Sequence, residues 1–272
     1  MTIDGHAHAC GIYLTEDTML KYMKLHKIDK ILLCGGEPNS RKDYSYPMLS
    51  KVFRGERLGY LFNKIIHLLI KKNHLAQRLD EQNKLVYHYA RHLPEQVINA
   101  YWINPLEYDC MEKMEEFYVN YGFKVVKIHQ CWTLIEIDDE MCSQIFSWAA
   151  KHNCPVFIHL YSKKEVIKFA KMANKHLDTV FIVAHMMGTF YLESALEHKN
   201  VYFDLSAPQL YSFSTMKRAV ENFGVKRLLL GSDTPYGIDN IDRVKERIEK
   251  LVLTDEDKKN IYGDNLARLL SH

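Results

Sequence analysis

The chain opens with Thr2-Ile3-Asp4-Gly5-His6-Ala7-His8, a short run that ends in two histidines one residue apart. In a β-strand, residues i and i+2 point to the same face. His6 and His8 therefore present two imidazoles side by side, a donor pair suited to a divalent transition metal. Alone the pair is a weak signal, because two of 14 histidines can fall this way by chance. Its weight comes from where the other ligand-type residues fall. Lys127 and His129 close the run Val125-Val126-Lys127-Ile128-His129, and His159 closes Val156-Phe157-Ile158-His159. His185 closes Phe181-Ile182-Val183-Ala184-His185, and Asp233 follows Leu229-Leu230-Gly231-Ser232. By contrast, His67, His74, His88 and His92 sit in stretches of helical pattern and read as solvated or packing residues.

Positioning such a set requires several strands that end at one place. The pattern predicts strands over Ile3–His8, Lys30–Cys34, 96–103, 123–129, 155–159, 179–185, 201–205 and 227–231. Helices are predicted between them, over 15–25, 110–121, 138–152, 163–176, 190–198 and 214–223, with two more over 241–251 and 255–270. Thr15 is placed as a helix N-cap, and Asp138 and Asp139 fall in a first helical turn. Alternation of this kind predicts an α/β fold, a (β/α)8 TIM barrel. A doubly wound open sheet is the alternative, but no G-x-G-x-x-G or phosphate loop follows the first strand. In a barrel the C-terminal strand ends converge on one mouth. His6, His8, Lys127, His129, His159, His185 and Asp233 all fall at such ends.

The alternation breaks once. Residues 38–95 contain no strand pattern but a polar loop, an apolar helical stretch over 58–70 and a second helical stretch over 79–92. They read as a helical insertion after strand 2 within one domain spanning 1–272. The insertion leaves from the side where barrel enzymes keep their active sites, which makes it either rim packing or a cover for the substrate.

Bulk properties narrow the class. The sequence has 272 residues, a net charge of +2 and 47% hydrophobic residues. That balance gives no electrostatic pull toward nucleic acid or an anionic membrane. No run of about 18 apolar residues is present to span a bilayer. The six cysteines are scattered without a C-x-x-C pair, and no cleavable signal peptide precedes the first strand, so reduced thiols in a cytoplasmic protein are expected. The expected partner is a small-molecule substrate; a homodimer is left open.

The motifs Asp4-Gly5-His6-Ala7-His8, Val126-Lys127-Ile128-His129, Val156-Phe157-Ile158-His159, Ala184-His185-Met186-Met187-Gly188 and Gly231-Ser232-Asp233-Thr234-Pro235 resemble the amidohydrolase superfamily. The resemblance is to its amidohydrolase-related branch, which contains aminocarboxymuconate-semialdehyde decarboxylase and related metal-dependent hydrolases. The closing run from Ile261 to Leu270 is similar to that branch's C-terminal helix. Two departures add bulk at the mouth: the sixth-strand motif is commonly His-x-Gly-Gly, and Leu160-Tyr161 follows His159 where a small residue is usual.

The resemblance implies one divalent metal held by His6, His8, His159 and Asp233. This mixed N/O set suits Zn2+ and also accepts Mn2+, Fe2+, Co2+ or Ni2+. It implies Asp233 as both ligand and proton acceptor, His185 as the group that orients water or polarises a substrate oxygen, and Lys127 and His129 as substrate-binding residues. Lys127 is expected as an unmodified amine beside one metal, not as the carbamate that bridges two metals elsewhere in the superfamily. The expected reaction is hydrolysis of an ester, lactone or amide by activated water. A metal-dependent decarboxylase or hydratase acting on a carboxylated small molecule is the alternative, and a non-catalytic metal-binding barrel is a second. A nuclease of the TatD type ranks low, because no glutamate ends strand 4.

Overall fold

The computed structural model describes residues 1–43 and 55–271. Eight parallel strands, β1 (Ile3–His8), β2 (Lys30–Cys34), β3 (Val97–Trp102), β4 (Val125–His129), β5 (Val156–His159), β6 (Phe181–Val183), β7 (Val201–Asp204) and β8 (Leu228–Leu229), pair in sequence order. Main-chain bonds join the last to the first: Gly5 N donates to Leu230 O at 2.8 Å, Asp233 N to His6 O at 2.7 Å and His8 N to Thr234 O at 2.8 Å. The sheet is thus the predicted closed barrel.

Helices follow the strands on the outside: α1 (Glu16–Leu25), α4 (Cys110–Tyr121), α5 (Glu140–Lys151), α6 (Lys163–Lys175), α7 (Thr189–Ala195), α8 (Phe213–Phe223) and α9 (Asn240–Glu249). The insertion contributes α2 (Glu56–Lys72) and α3 (Leu79–His92). Part of its polar loop, residues 44–54, lies outside the described residues. Among the described residues no helix is long and apolar enough to cross a membrane, and all six cysteines are buried and free.

Local chemistry starts these helices where expected. Thr15 accepts from Thr18 N, Ser162 from Glu165 N, and Thr254 forms a reciprocal capping box with Asp257. Asp139 is the N-cap of α5 itself, with its side chain accepting from Met141 N, so that helix starts one to two residues later than predicted. The closing stretch is helical without a break over 255–269, as predicted, but its middle, Asn260–Asp264, is a π turn between α10 (Asp255–Lys259) and α11 (Asn265–Leu269).

The core has two layers. One lies between sheet and helices, with Phe146, Phe169, Phe181 and Phe203 fully buried. The other fills the barrel interior with Ile3, Leu32, Val125, Phe157, Ile182 and Leu229, and Leu266 of α11 joins it. Packed side chains below leave only the C-terminal strand ends free for chemistry.

Candidate metal centre at the barrel mouth

The sequence-singled residues meet at that end, almost entirely out of solvent. His6, His8, Lys127, His129, His159 and His185 are all buried, and the Asp233 side chain is 14% exposed. His185 lies just past β6 rather than in it. Strand β6 stops at Val183, and Ala184–Met186 forms a short turn in which His185 has φ +57°. Asp233 has φ +62°. Both are left-handed conformations that non-glycine residues adopt only under tertiary constraint. That constraint is visible: Asp233 N bonds His6 O, and His185 N donates to Asp204 Oδ2 at 3.3 Å. Beside Asp233, Ser232 is fixed by Asp4, which accepts from Ser232 N at 2.8 Å and from its hydroxyl at 2.6 Å.

The hydrogen bonds fix which ring nitrogen faces inward. His8 Nδ1 lies 2.6 Å from Gly35 O, and a carbonyl only accepts, so the His8 proton sits on Nδ1. His6 Nδ1 lies 2.9 Å from Asp204 Oδ2 in the same sense. Both Nε2 lone pairs are left for the centre of the mouth, 3.3 Å (His8) and 3.6 Å (His6) from Asp233 Oδ1. A tetrahedral ion with bonds of 2.0–2.1 Å holds its donors about 3.3–3.4 Å apart. The two spacings to Asp233 lie at or close to that separation, and all three donor atoms lie within 4.8 Å of one another. The Lys127 amine also approaches, 3.0 Å from His6 Nε2 and 4.0 Å from the Phe157 ring centroid.

His159 stands beside this trio rather than in it. Its ring stacks on His129 at 4.0 Å and meets His185 edge-on at 4.9 Å. Its Nε2 lies 3.0 Å from Asn63 Oδ1. The Asn63 amide donates to Leu160 O and Tyr161 O at 3.1 and 3.0 Å, which orients it with Oδ1 toward the ring. His159 must then carry its proton on Nε2, and Nδ1 keeps the lone pair. That Nδ1 is buried with no hydrogen-bond partner. An orphaned buried acceptor on His159, together with His8 Nε2, a His6 Nε2 whose present neighbour is the Lys127 amine, and the Asp233 carboxylate, is a donor set that fits a divalent ion, and the residues present could hold one.

Electrostatics agree. Burial, reinforced by the Lys127 amine, holds His6 well below the ordinary histidine value, and burial does the same for His129 and His159. Burial lowers His185 to about 4. Neutral imidazole is the form that binds metal. Burial pushes Asp204 up to about 7 against the opposing effect of its Ser206 hydrogen bonds.

Asp204 and Ser206 were not singled out from the sequence. The Ser206 hydroxyl donates to Asp204 Oδ2 and lies 2.9 Å from His185 Nδ1, so that nitrogen is the donor and His185 Nε2 is left free. Gly231 allows the approach of Asp204, because a Cβ there would fall 2.1 Å from Asp204 Oδ1. The signal for Asp204 was present: it ends β7 just as the histidines end their strands. Asn63 gave no such signal, since it lies inside an insertion helix.

Asn63→Ala leaves α2 in place but frees the His159 ring to change tautomer. The expected result is a 10–100-fold loss of metal affinity, the usual cost of removing a partner of a metal-ligating histidine. Competition with a chromophoric chelator measures it. An unchanged affinity would show that His159 is oriented by other contacts.

A cavity of about 270 Å³ lies between the loop after β7 (Gln209, Tyr211, Ser212) and α9 (Arg243, Arg247), and no histidine of the set lines it. Asp233 is the partly exposed member of the strand-end set, and covering elements bury the rest. Asn63, Gly59 against Met187 and Leu210, and His67 against Cys131 O make α2 one such element.

Residues 70–271 match the amidohydrolase family model. The match begins inside the insertion and leaves out His6, His8 and Asn63. Among curated proteins, no sequence matches. Solved structures align over nearly the whole chain. A 2,6-dihydroxybenzoate decarboxylase from Rhizobium is 14% identical, with a TM-score of 0.69 and coverage of 99% of this chain and 98% of that one. A 4-oxalomesaconate hydratase from Rhodopseudomonas palustris is 16% identical, with a TM-score of 0.63 over 100% and 96%. A dihydroxybenzoic acid decarboxylase from Polaromonas, which holds manganese and 2-nitroresorcinol, is 12% identical, with a TM-score of 0.69 over 99% and 96%. At these identities the likeness establishes the fold.

Proposed function

Because the chain belongs to the amidohydrolase family, we propose that it is a metal-dependent lyase that removes a carboxyl group from a small, planar carboxylic acid. One observation carries this reading: the buried Lys127 amine beside His6, Asp233 and flat aromatic walls. Trp102 stacks on His129 at 5.4 Å with planes 18° apart, and Phe157 lies under the amine. An aromatic lining of this kind, with an amine to meet a carboxylate, is the chemistry that suits a flat aromatic acid. The decarboxylases and hydratase of like fold act on acids of this kind by their names, which supports the same choice.

His6, His8, Asp233 and His159 would hold a divalent ion, which when bound would supply Lewis acidity toward the substrate's oxygens. The chain's own groups do the rest. Burial lowers the Lys127 pKa, and an arriving carboxylate opposes that shift by pairing with the charged amine. His129 accepts from Cys131 N through Nδ1 at 3.2 Å, so its Nε2–H is left to donate to the bound acid. His185 faces the mouth with Nε2. Loss of CO2 leaves an electron pair on carbon, and Asp233 is placed to carry the proton that ends there.

Hydrolysis of an ester, lactone or amide is the second reading. Asp233 favours it, since the same carboxylate can accept a proton from water. Both readings are tested by supplying the metal-loaded protein with a panel of hydroxybenzoic and unsaturated dicarboxylic acids, followed by CO2 release, and with a parallel panel of esters, lactones and amides. Decarboxylation is expected. Turnover confined to the second panel would replace the lyase by the hydrolase. Silence on both with a full complement of metal would favour a non-catalytic barrel.

A further inference from the structure

A second group of metal donors lies on the outer wall of the barrel, away from the mouth. His88 and His92 are four residues apart on α3, and so share one helix face. Their rings are 3.9 Å apart between centroids. Across from them stands Glu16, the first residue of α1. Glu16 Oε1 lies 3.0 Å from His92 Nδ1 and 3.8 Å from His88 Nε2, and one donor atom from each of the three residues lies within 4.8 Å of the others. We propose that Glu16, His88 and His92 form a peripheral binding site for a borderline divalent transition ion of the Zn2+ class.

Three observations carry this. The two measured spacings bracket the roughly 3.3–3.4 Å separation of donors around a tetrahedral ion with bonds of 2.0–2.1 Å. Two imidazoles and one carboxylate are the donor types that borderline ions select over Mg2+ or Ca2+. The two helices are also already tied together: the Tyr89 hydroxyl, next to His88, bonds Leu14 O just ahead of α1. An ordinary ion pair does not account for the arrangement as well. One carboxylate oxygen faces two imidazoles whose rings lie 3.9 Å apart and tilted by 55°, an arrangement that gathers three donors at one point. A single dication satisfies all three groups at once, and water completes its coordination.

Such an ion would act as a clip. It joins α1, which follows the strand bearing His6 and His8, to α3. From α3, Asn83 holds both the N–H and the carbonyl of Trp102, at 2.8 and 2.9 Å. The clip would thus brace two helices that back the catalytic walls, without touching the mouth.

The test is zinc calorimetry on tag-free, chelator-stripped protein, comparing the wild type with His88→Ala/His92→Ala. The wild type is expected to take up about two equivalents and the variant about one. Glu16→Gln should weaken the peripheral site by at least tenfold, and zinc should raise the melting midpoint of the wild type more than that of the variant. Equal stoichiometry in wild type and variant overturns the proposal. A wild type that binds one equivalent, lost in the variant, keeps the peripheral site and removes the central one, so the two assignments fail separately. If the double variant does not fold, His92→Gln replaces it, with the same loss of one equivalent expected.

Discussion

His6→Ala/His8→Ala lowers the metal bound after exhaustive dialysis by one equivalent per chain, and the barrel remains folded. A four-ligand zinc site is worth about 10–16 kcal/mol. Removing two of its four donors therefore weakens binding by at least about a thousandfold. The fold is expected to survive because closure of the barrel rests on main-chain bonds at Gly5, His8 and Asp233, which the substitutions leave intact. The main structural cost is at Asp204, which loses its partner on His6; an unsatisfied buried group costs about 1–3 kcal/mol. Burial already pushes the Asp204 pKa up to about 7 and the carboxyl keeps its bond to Ser206, so taking up a proton there costs little. Elemental analysis alongside circular dichroism reads both halves. Unchanged metal content in a folded variant would mean that the ion is held elsewhere.

Asp233→Asn should leave the main-chain geometry at the mouth intact and lower turnover by about a hundredfold or more, the typical loss on removing a general acid–base group. The amide occupies the same volume and its oxygen can still face His6 and His8, but it neither takes up nor delivers a proton. Some metal should remain, more weakly held. The comparison is therefore made per bound ion, with metal content and rate measured on the same samples. Near-normal turnover per ion would remove Asp233 from proton transfer and leave it as a ligand only.

The barrel was legible because each strand carries its own apolar run and each run stops at a chemically distinct residue. The mouth was legible for the same reason: His8, His129 and His159 end β1, β4 and β5 as predicted. Departures arise where a tertiary contact overrides the local pattern. Nothing between Thr179 and Ala184 breaks a strand, so β6 was expected to run through His185. The bond from His185 N to Asp204 turns the chain instead. The closing helix is continuous as expected, but one turn of it departs from α geometry where a Cβ at position 263 would fall 2.5 Å from Met1 O. The π turn at Asn260–Asp264 lies where the chain start comes closest. Of the four ligands the resemblance implies, the structure gathers three donor atoms within 4.8 Å of one another, and turns the fourth, His159, toward Asn63. That turn could not be read from the sequence, because it depends on an insertion helix crossing the mouth.

The Asn63–His159 bond has a consequence for the working enzyme. It makes the seating of α2 and the readiness of one metal donor a single equilibrium. Free energies around a closed cycle cancel, so the factor by which a seated α2 tightens the ion is also the factor by which the ion tightens α2. On the proposed function, an excursion of that helix that admitted a substrate would loosen the grip on the metal by that same factor. Turnover and metal retention would then compete, and the protein would rely on free metal in its surroundings to stay active.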